Sequence, residues 1–433
     1  MHTEQLGFSA QTRAWDLAGM NYNWIVAQEG SRQTYAVPEA FQVIDRLRAL
    51  YTDVWCRRGR SWLLSGPKPA RAWAGRYNAG IPEHKVKSFD LGALSRLARL
   101  HFRRGDMSPE ELADYYIRFG AWFGSETASR VRKLRMNPAT DCFFGFNTNC
   151  LETLRVCKAE GIFSIVDQVD PAMVEEEMVA EEAARWPGWS KVPGRMPEAY
   201  WQRLRAEWEM ADVVLVNSPW SRDALVRQGV QESRIMVVPL AIHLPPAKKL
   251  TPVNPDGPLK VIWLGSIILR KGIQYLVEAA RLLKTEKIEF LLAGPVGIST
   301  EALKSFPANM KLLGRITRDS LEQVYTQGHV FVLPTISDGF AITQLEAMAH
   351  GLPVVTTPNC GRVVTDGEDG FIVPARNAVA LAGALVRLDR DRALLSRMSR
   401  KARETVLRYD LPSNALLICE ETARRHNCKR RAN

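Results

Sequence analysis

The run SDGFAITQLEAMAHGLPVVTT, residues 337–357, decides the reading of this chain. HVFVLP (329–334) precedes it and LPVVTT (352–357) closes it, and both are short apolar runs of the kind that form buried strands. Between them Asp338 and Gly339 form a loop, and a helix is predicted to open near Ala341 and to stop at Gly351 and Pro353. In that order, the N–H groups of Phe340, Ala341, Ile342 and Thr343 would be free at a helix N-terminus, where a phosphate can bind. Gly339 lets the backbone approach a ligand closely. Asp338 in the loop and Glu346 in the helix would face one ligand from different heights. Taken alone, such an acid pair is more often an N-cap and a solvated helix residue.

The same rhythm extends in both directions. LKVIWLG (259–265), IEFLLAG and NMKLLG are further strand candidates, and helices are predicted over 271–284, SLEQVY, 377–390 and 392–408. Strands alternating with helices imply a parallel sheet covered on both faces. Earlier in the chain, NWIVAQEG (23–30) predicts a strand, Phe41 to Leu50 a helix and YTDVWC (51–56) a strand, followed by an irregular helical stretch over 59–140. CFFGFN, GIFSIVD (161–167), ADVVLVNS and MVVPLAIHL (236–244) resume the strands. PPAKKLTPVNPDGP (245–258) can neither continue a helix nor fill a central strand, so it is expected to be a linker. The expected fold class is α/β, with two Rossmann-like doubly wound domains facing across a cleft. They would span 1–250 and 251–408, with a C-terminal helix over 409–433 joining the first. Ligands of such sheets bind at the carboxyl ends of the strands.

The chain has 433 residues, 46% hydrophobic and 24% charged, which excludes a disordered or fibrous protein. No apolar run approaches the roughly 18 residues of a membrane-spanning helix. The first residues lack the basic and apolar regions of a secretory signal. Seven cysteines, an odd number with no C-x-x-C pair, argue against a zinc site or a disulfide framework and for a cytoplasmic setting. The net charge of +11 is patchy: residues 51–104 carry 12 Lys and Arg against 3 acids, whereas 151–200 carry 5 against 10. Nucleic acid, an anionic membrane surface or phosphorylated small molecules could each match such a base excess. In LGALSRLARLHFRRG (91–105) leucines share a side flanked by arginines, as in a helix lying in a lipid interface or packed on a core. The acids of Val174 to Ala184 surround their helix rather than converge, so a solvated face is expected rather than a cation site.

The 337–357 run resembles the acid-x7-acid signature of the retaining glycosyltransferases of family 4, written E-G-F-[GA]-x-x-x-x-E-A-M-A-x-G-x-P-V-V. WLGSIILRKGIQYLVEA (263–279) is similar to that family's donor-phosphate loop, and LLAGP, LLGRITRDSLEQVY and NCGRVVTDGEDGFIVP (359–374) follow in family order. EWEMADVVLVNSPWSRDALVRQGVQESRIMVVP resembles the closing unit of its first domain, and before residue 140 the resemblance is weak. The resemblance implies a GT-B fold and a metal-independent retaining transfer of sugar from a nucleotide-sugar donor, with no cofactor. Lys271, helped by Arg270, would neutralise the diphosphate. Asp338 would bind sugar hydroxyls, Glu346 the ribose, and Arg315 and Ile316 would lie near the base. Gly265 and Ser266 would line the donor loop. Gly30 and Ser31 would line the acceptor side. Expected partners are the donor, a glycan or lipid acceptor and a weak membrane-surface contact, with no nucleic acid.

Several positions depart from the family pattern. The first acid is Asp338 where Glu is usual, and Ser266 stands where Arg is frequent. Pro239-Leu240-Ala241-Ile242-His243 replaces P-x-G-x-D. No His lies between 102 and 242, where many members face one to the sugar, and the strand before Asp167 ends instead in Asp167-Gln168-Val169-Asp170. Asp167 is a candidate for that place, with a capping or solvated role as the plainer expectation. The fold also hosts nucleotide-sugar epimerases, and the departures are compatible with a non-catalytic nucleotide-sugar-binding protein.

Overall fold

A computed structural model describes residues 22–57, 73–93, 96, 107–190, 194–246, 257–316 and 320–432, with side chains to 426. Most of the stretch 91–105 lies outside the described residues, as does most of the linker.

The first domain comprises β1 (Asn23–Gln28), α1 (Ala36–Val43), β2 (Leu47–Thr52), β3 (Val86–Ser88), α2 (Pro109–Leu134), β4 (Asp141–Phe146), α3 (Leu151–Ala159), β5 (Phe163–Gln168), α4 (Met173–Arg185), α5 (Glu198–Met210), β6 (Val213–Val216), α6 (Pro219–Arg227) and β7 (Ile235–Val237). Its strands are parallel in the order β3-β2-β1-β4-β5-β6-β7. Trp24 and Val26 of β1 pack in one core layer with Phe41 of α1, while Ile25 and Ala27 pack in another with Phe119 and Phe123 of α2. Alternate residues of one strand are thus buried on opposite faces, as in a sheet covered on both sides.

The second domain comprises β8 (Leu259–Leu264), α7 (Ile273–Leu282), β9 (Ile288–Ala293), α8 (Thr300–Lys304), β10 (Met310–Gly314), α9 (Leu321–Gln327), β11 (Val330–Leu333), α10 (Thr343–Ala349), β12 (Val354–Thr356), β13 (Gly370–Ile372), α11 (Ala378–Arg390) and α12 (Arg392–Val406). Its order is β10-β9-β8-β11-β12-β13, again parallel. The last helix, α13 (Leu411–Ala432), returns to the first domain, where Leu411, Ala415, Ile418 and Cys419 join the core layer of Trp24 and Phe41.

Two sequence expectations are corrected near the N-terminus. The helix predicted over Phe41 to Leu50 ends at Val43, and the next strand occupies Leu47–Thr52 rather than 51–56. Asp45, in a left-handed conformation, turns the chain early, and the apolar run from Leu47 then pairs with β1. The strand read into MVVPLAIHL is only Ile235–Val237, because Pro239 has no N–H to continue a ladder.

The topological switch points lie at β1/β4 and β8/β11, so the loops after these strands are where a ligand would sit. In the first domain the helix N-terminus after β4 is already filled. The buried Glu207 accepts hydrogen bonds from the N–H groups of Thr148, Cys150 and Leu151 at 2.6–3.2 Å. It takes the place an external phosphate would take at α3.

Candidate functional site

In the second domain the loops after β8 and β11 are bonded to each other. Thr335 Oγ1 and the N–H of Ile336 both donate to the carbonyl of Arg270, at 3.1 and 2.9 Å. Gly272 makes this approach possible. It has φ +77°, and a Cβ there would overlap the carbonyl oxygen of Pro334.

The adjacent cations, Arg270 and Lys271, converge on Asp338. Lys271 Nζ pairs with Asp338 Oδ2, and Arg270 lies 3.6 Å from the same oxygen. Asp338 is 8% exposed. Burial alone would raise its carboxyl, but the charges of Lys271 and Arg270 outweigh burial and hold it below the usual range.

Asp338 Oδ1 accepts the N–H groups of Phe340 and Ala341 at 3.4 and 3.1 Å. Those two groups are therefore not free, which corrects the sequence expectation. The helix also begins later than expected, at Thr343, because Ala341 is left-handed with φ 61°. Phe340 and Ala341 are buried, while Ile342 and Thr343 are half-buried. Glu346 lies on α10 and accepts a 2.9 Å hydrogen bond from Tyr325 Oη. Gly265 and Ser266, half-buried, follow β8, and Arg315 and Ile316 follow β10, with Arg315 exposed.

The first domain closes on this loop. Gly339 is pressed against it, and a side chain at 339 would overlap the carbonyl of Val169 and crowd Asn217. Trp220 Nε1 donates to Ser337 Oγ at 3.1 Å, and Ser337 donates to Glu175 at 3.0 Å. Arg270 completes the ring with Glu175 at 3.2 Å. Arg270 is thus a seam residue rather than a solvated one. Burial pushes Glu175 up to about 7, against the pull of Arg270.

A second knot lies further along α4. Glu182, fully buried, accepts from Gln274, Tyr275 and Arg376. Glu181, at the surface, also pairs with Arg376. Glu175 and Glu182 of the acidic run therefore lie in the domain seam, while Glu177 and Glu181 are exposed as expected of a solvated face. The seam's sequence signal was weak, because the complementary residues lie about ninety to two hundred positions away.

In the loop after β1, Gly30 N donates to Asp53 Oδ1 at 3.0 Å, and Asp53 is buried against Arg76. Asn149 donates to Glu29 at 3.0 Å. Ser31 leads into three successive left-handed residues, Gln33, Thr34 and Tyr35, a strained turn that no sequence rule announced. Asp167 belongs to β5 and is 2% exposed, so it neither caps a helix nor meets solvent. Burial raises its carboxyl to about 7, with Arg32 pulling the other way. Among the described residues no group of three or more His, Cys, Asp or Glu is placed to hold a metal ion.

Residues 258–391 match the sequence profile of the family described as glycosyl transferases group 1. The chain is 31% identical to the sulfoquinovosyl transferase of Arabidopsis thaliana over 168 residues, which is 37% of this chain and 32% of that protein. It is 26% identical to the N,N'-diacetylbacillosaminyl-diphospho-undecaprenol alpha-1,3-N-acetylgalactosaminyltransferase of Campylobacter jejuni over 42% of this chain and 52% of that one. The matched segments thus span about a third to a half of these relatives. In fold it is similar to Anabaena Alr3699/HepE, solved in complex with UDP. The TM-score is 0.58 at 14% identity, over 93% of this chain and 99% of that chain. The segment carrying Arg270, Lys271, Asp338 and Glu346 therefore belongs to the glycosyl transferases group 1 family, within a chain of GT-B fold.

Proposed function

We propose that this protein is a retaining glycosyltransferase that moves a sugar from a nucleotide-sugar donor to a hydroxyl of a glycan, lipid-linked or small-molecule acceptor. The observation that carries the reading is the convergence of Lys271 and Arg270 on Asp338 where the β8 and β11 loops meet. Lys271 is held by Asp338. A donor diphosphate competes for Lys271 and releases Asp338 Oδ2 to the sugar hydroxyls. The bond from the anomeric carbon to the diphosphate breaks, and the electron pair goes to a phosphate oxygen whose charge the two cations stabilise. The acceptor oxygen bonds to the same face of that carbon, and its proton passes to the departing phosphate.

Glu346 would accept from the ribose, and Arg315 and Ile316 would flank the base. Gly30 and Ser31 would face the acceptor. Asp167, sealed from solvent, would act on the cleft only through Arg32. The two cations do the work of a metal ion in this scheme, so turnover should survive a chelator. The proposed setting is the cytoplasm, at the inner membrane face if the acceptor is lipid-linked as in the Campylobacter relative's name.

The test is a thermal-shift panel of nucleotide sugars, since a donor that binds the folded chain raises its melting temperature. UDP-sugars come first because the Anabaena structure was solved with UDP. Turnover with the stabilising donor then decides the class. Sugar on an acceptor with retained configuration supports the proposal. A changed free nucleotide-sugar means an epimerase, and binding without turnover means a binding protein.

A further inference from the structure

Glu346 is half-buried on α10. Among the described residues its side chain takes one hydrogen bond, from Tyr325 Oη to Oε2, and no ion pair, and Oε1 accepts from none of them. A carboxylate can accept about four hydrogen bonds, so most of the accepting capacity of this acid is open to a ligand.

Tyr325 belongs to α9 and is 1% exposed. Its ring lies in the apolar layer of Phe331, Leu345 and Met348, and it stacks on His350 with centroids 4.9 Å apart and planes 18° apart. His350 stands four positions after Glu346, so the two share a face, one helical turn apart. The carbonyl of Glu346 accepts from the backbone N–H of His350 at 3.3 Å and lies 2.8 Å from its Nδ1, which fixes the imidazole. Tyr325 thus grips this face at two points, with its ring on His350 and its hydroxyl on Glu346.

A phenylalanine would meet the packing at 325 equally well. What the hydroxyl adds is a contact with the second acid of the 337–357 run. Burial and the negative charge of Glu346 hold the phenol well above its ordinary range, so it stays a donor. Glutamate is among the side chains that lose most rotamer freedom when they are fixed. A donor on Oε2 imposes that loss before a ligand arrives and leaves Oε1 to meet it. An ionised carboxylate only accepts, and the neighbouring hydroxyls of a ribose are a matching pair of donors.

We infer that Tyr325 is a positioning residue, which presets the Glu346 carboxylate for the ribose hydroxyls of the donor nucleotide and so sets a preference for ribonucleotides over deoxynucleotides. The inference rests on the donor reading of Glu346. It adds a residue 21 positions earlier, outside the 337–357 run, that acts through this acid.

The test is titration calorimetry of the full chain with UDP, GDP and ADP, each beside its 2′,3′-dideoxy analogue. Wild type should bind at least one of the three about tenfold more tightly than the analogue. Tyr325→Phe keeps the ring on His350, and circular dichroism confirms that the variant is folded. It should weaken that ribonucleotide about fivefold to tenfold and leave the analogue within about twofold of wild type. In a Glu346→Ala background the same change should cost nothing further. A tyrosine that only packs would weaken both nucleotides alike. That result, undiminished discrimination in Tyr325→Phe, or a full further loss beside Glu346→Ala overturns the inference while the donor reading stands. If wild type binds none of the three, or binds each as tightly as its analogue, the donor reading of Glu346 falls and the inference falls with it.

Discussion

Lys271 must exchange one anion for another when a donor arrives, and this sets what its removal costs. Lys271→Ala should weaken nucleoside-diphosphate binding by about 1.5–3 kcal/mol, the worth of a charge-assisted hydrogen bond. Calorimetry on the folded variant checks this, and unchanged affinity would remove Lys271 from the diphosphate site. The acids should separate by role. Glu346→Gln should weaken donor and free nucleoside diphosphate alike, whereas Asp338→Asn should spare the diphosphate and lower turnover. Both variants turning over at the wild-type rate would make the acids structural. Asp338→Glu then reports whether the shorter acid suits this cleft. These residues were legible because loop, helix and acid spacing lie within one continuous run. Glu175 was not, since its partners Arg270 and Ser337 lie 95 and 162 positions away. A helix pattern shows which faces are apolar, not which polar face another domain will cover.

At the scale of one element, α4 is the clasp of the seam, and its sign with pH can be worked out. Burial in the closed seam raises Glu175 from 4.5 to about 7. A carboxyl raised by closure binds a proton more tightly closed than open, so closure is favoured at low pH. That advantage is lost as pH rises from about 4.5 through about 7. Scattering at pH 5.5 and 8 should show a more compact particle at the lower pH, and Glu175→Gln should flatten the difference. An equally strong dependence in the variant would place the titrating group elsewhere. The Glu182 knot should be costly to break. Glu182→Ala leaves the buried donors of Gln274 and Tyr275 without their acceptor, while Arg376 keeps Glu181, and each such loss runs to about 1–3 kcal/mol. Faster hydrogen exchange along α4 and α7 would register it, and unchanged exchange in both would show that the knot does not hold the seam. At this scale the sequence showed where most strands lie, because apolar β-branched runs mark them directly. It misplaced α1 and β2, whose boundary depends on Asp45 turning the chain, and it left β13 unread inside a glycine-rich segment.

For the whole molecule, the uneven charge bears on where the protein works. Of the stretch 91–105, Leu91 is 88% exposed and Arg96 stacks over Trp122 at 4.5 Å. Each basic residue near an anionic bilayer is worth about 1 kcal/mol, so a few would hold the chain reversibly. Co-sedimentation with anionic vesicles at low salt and release at high salt is the expected result. Equal pelleting with anionic and neutral vesicles, or none with either, would point away from a lipid surface. The two-sheet plan was open to sequence reading, because alternation of strand and helix repeats along the chain. The mode of closure was not, because it depends on glycines and acids that acquire meaning only once the two sheets face each other.

The return of α13 governs how the chain is built. Trp24, in the first strand, donates its indole N–H to Cys419, 395 positions later, and the helix that carries Cys419 covers one face of the first sheet. During synthesis the part of that face not packed by α1 stays uncovered while the entire second domain is made. The second domain is contiguous and can condense first, even though it is translated second. The order of folding would then run against the order of translation, with the N-terminal sheet waiting on the ribosome or a chaperone for its last helix.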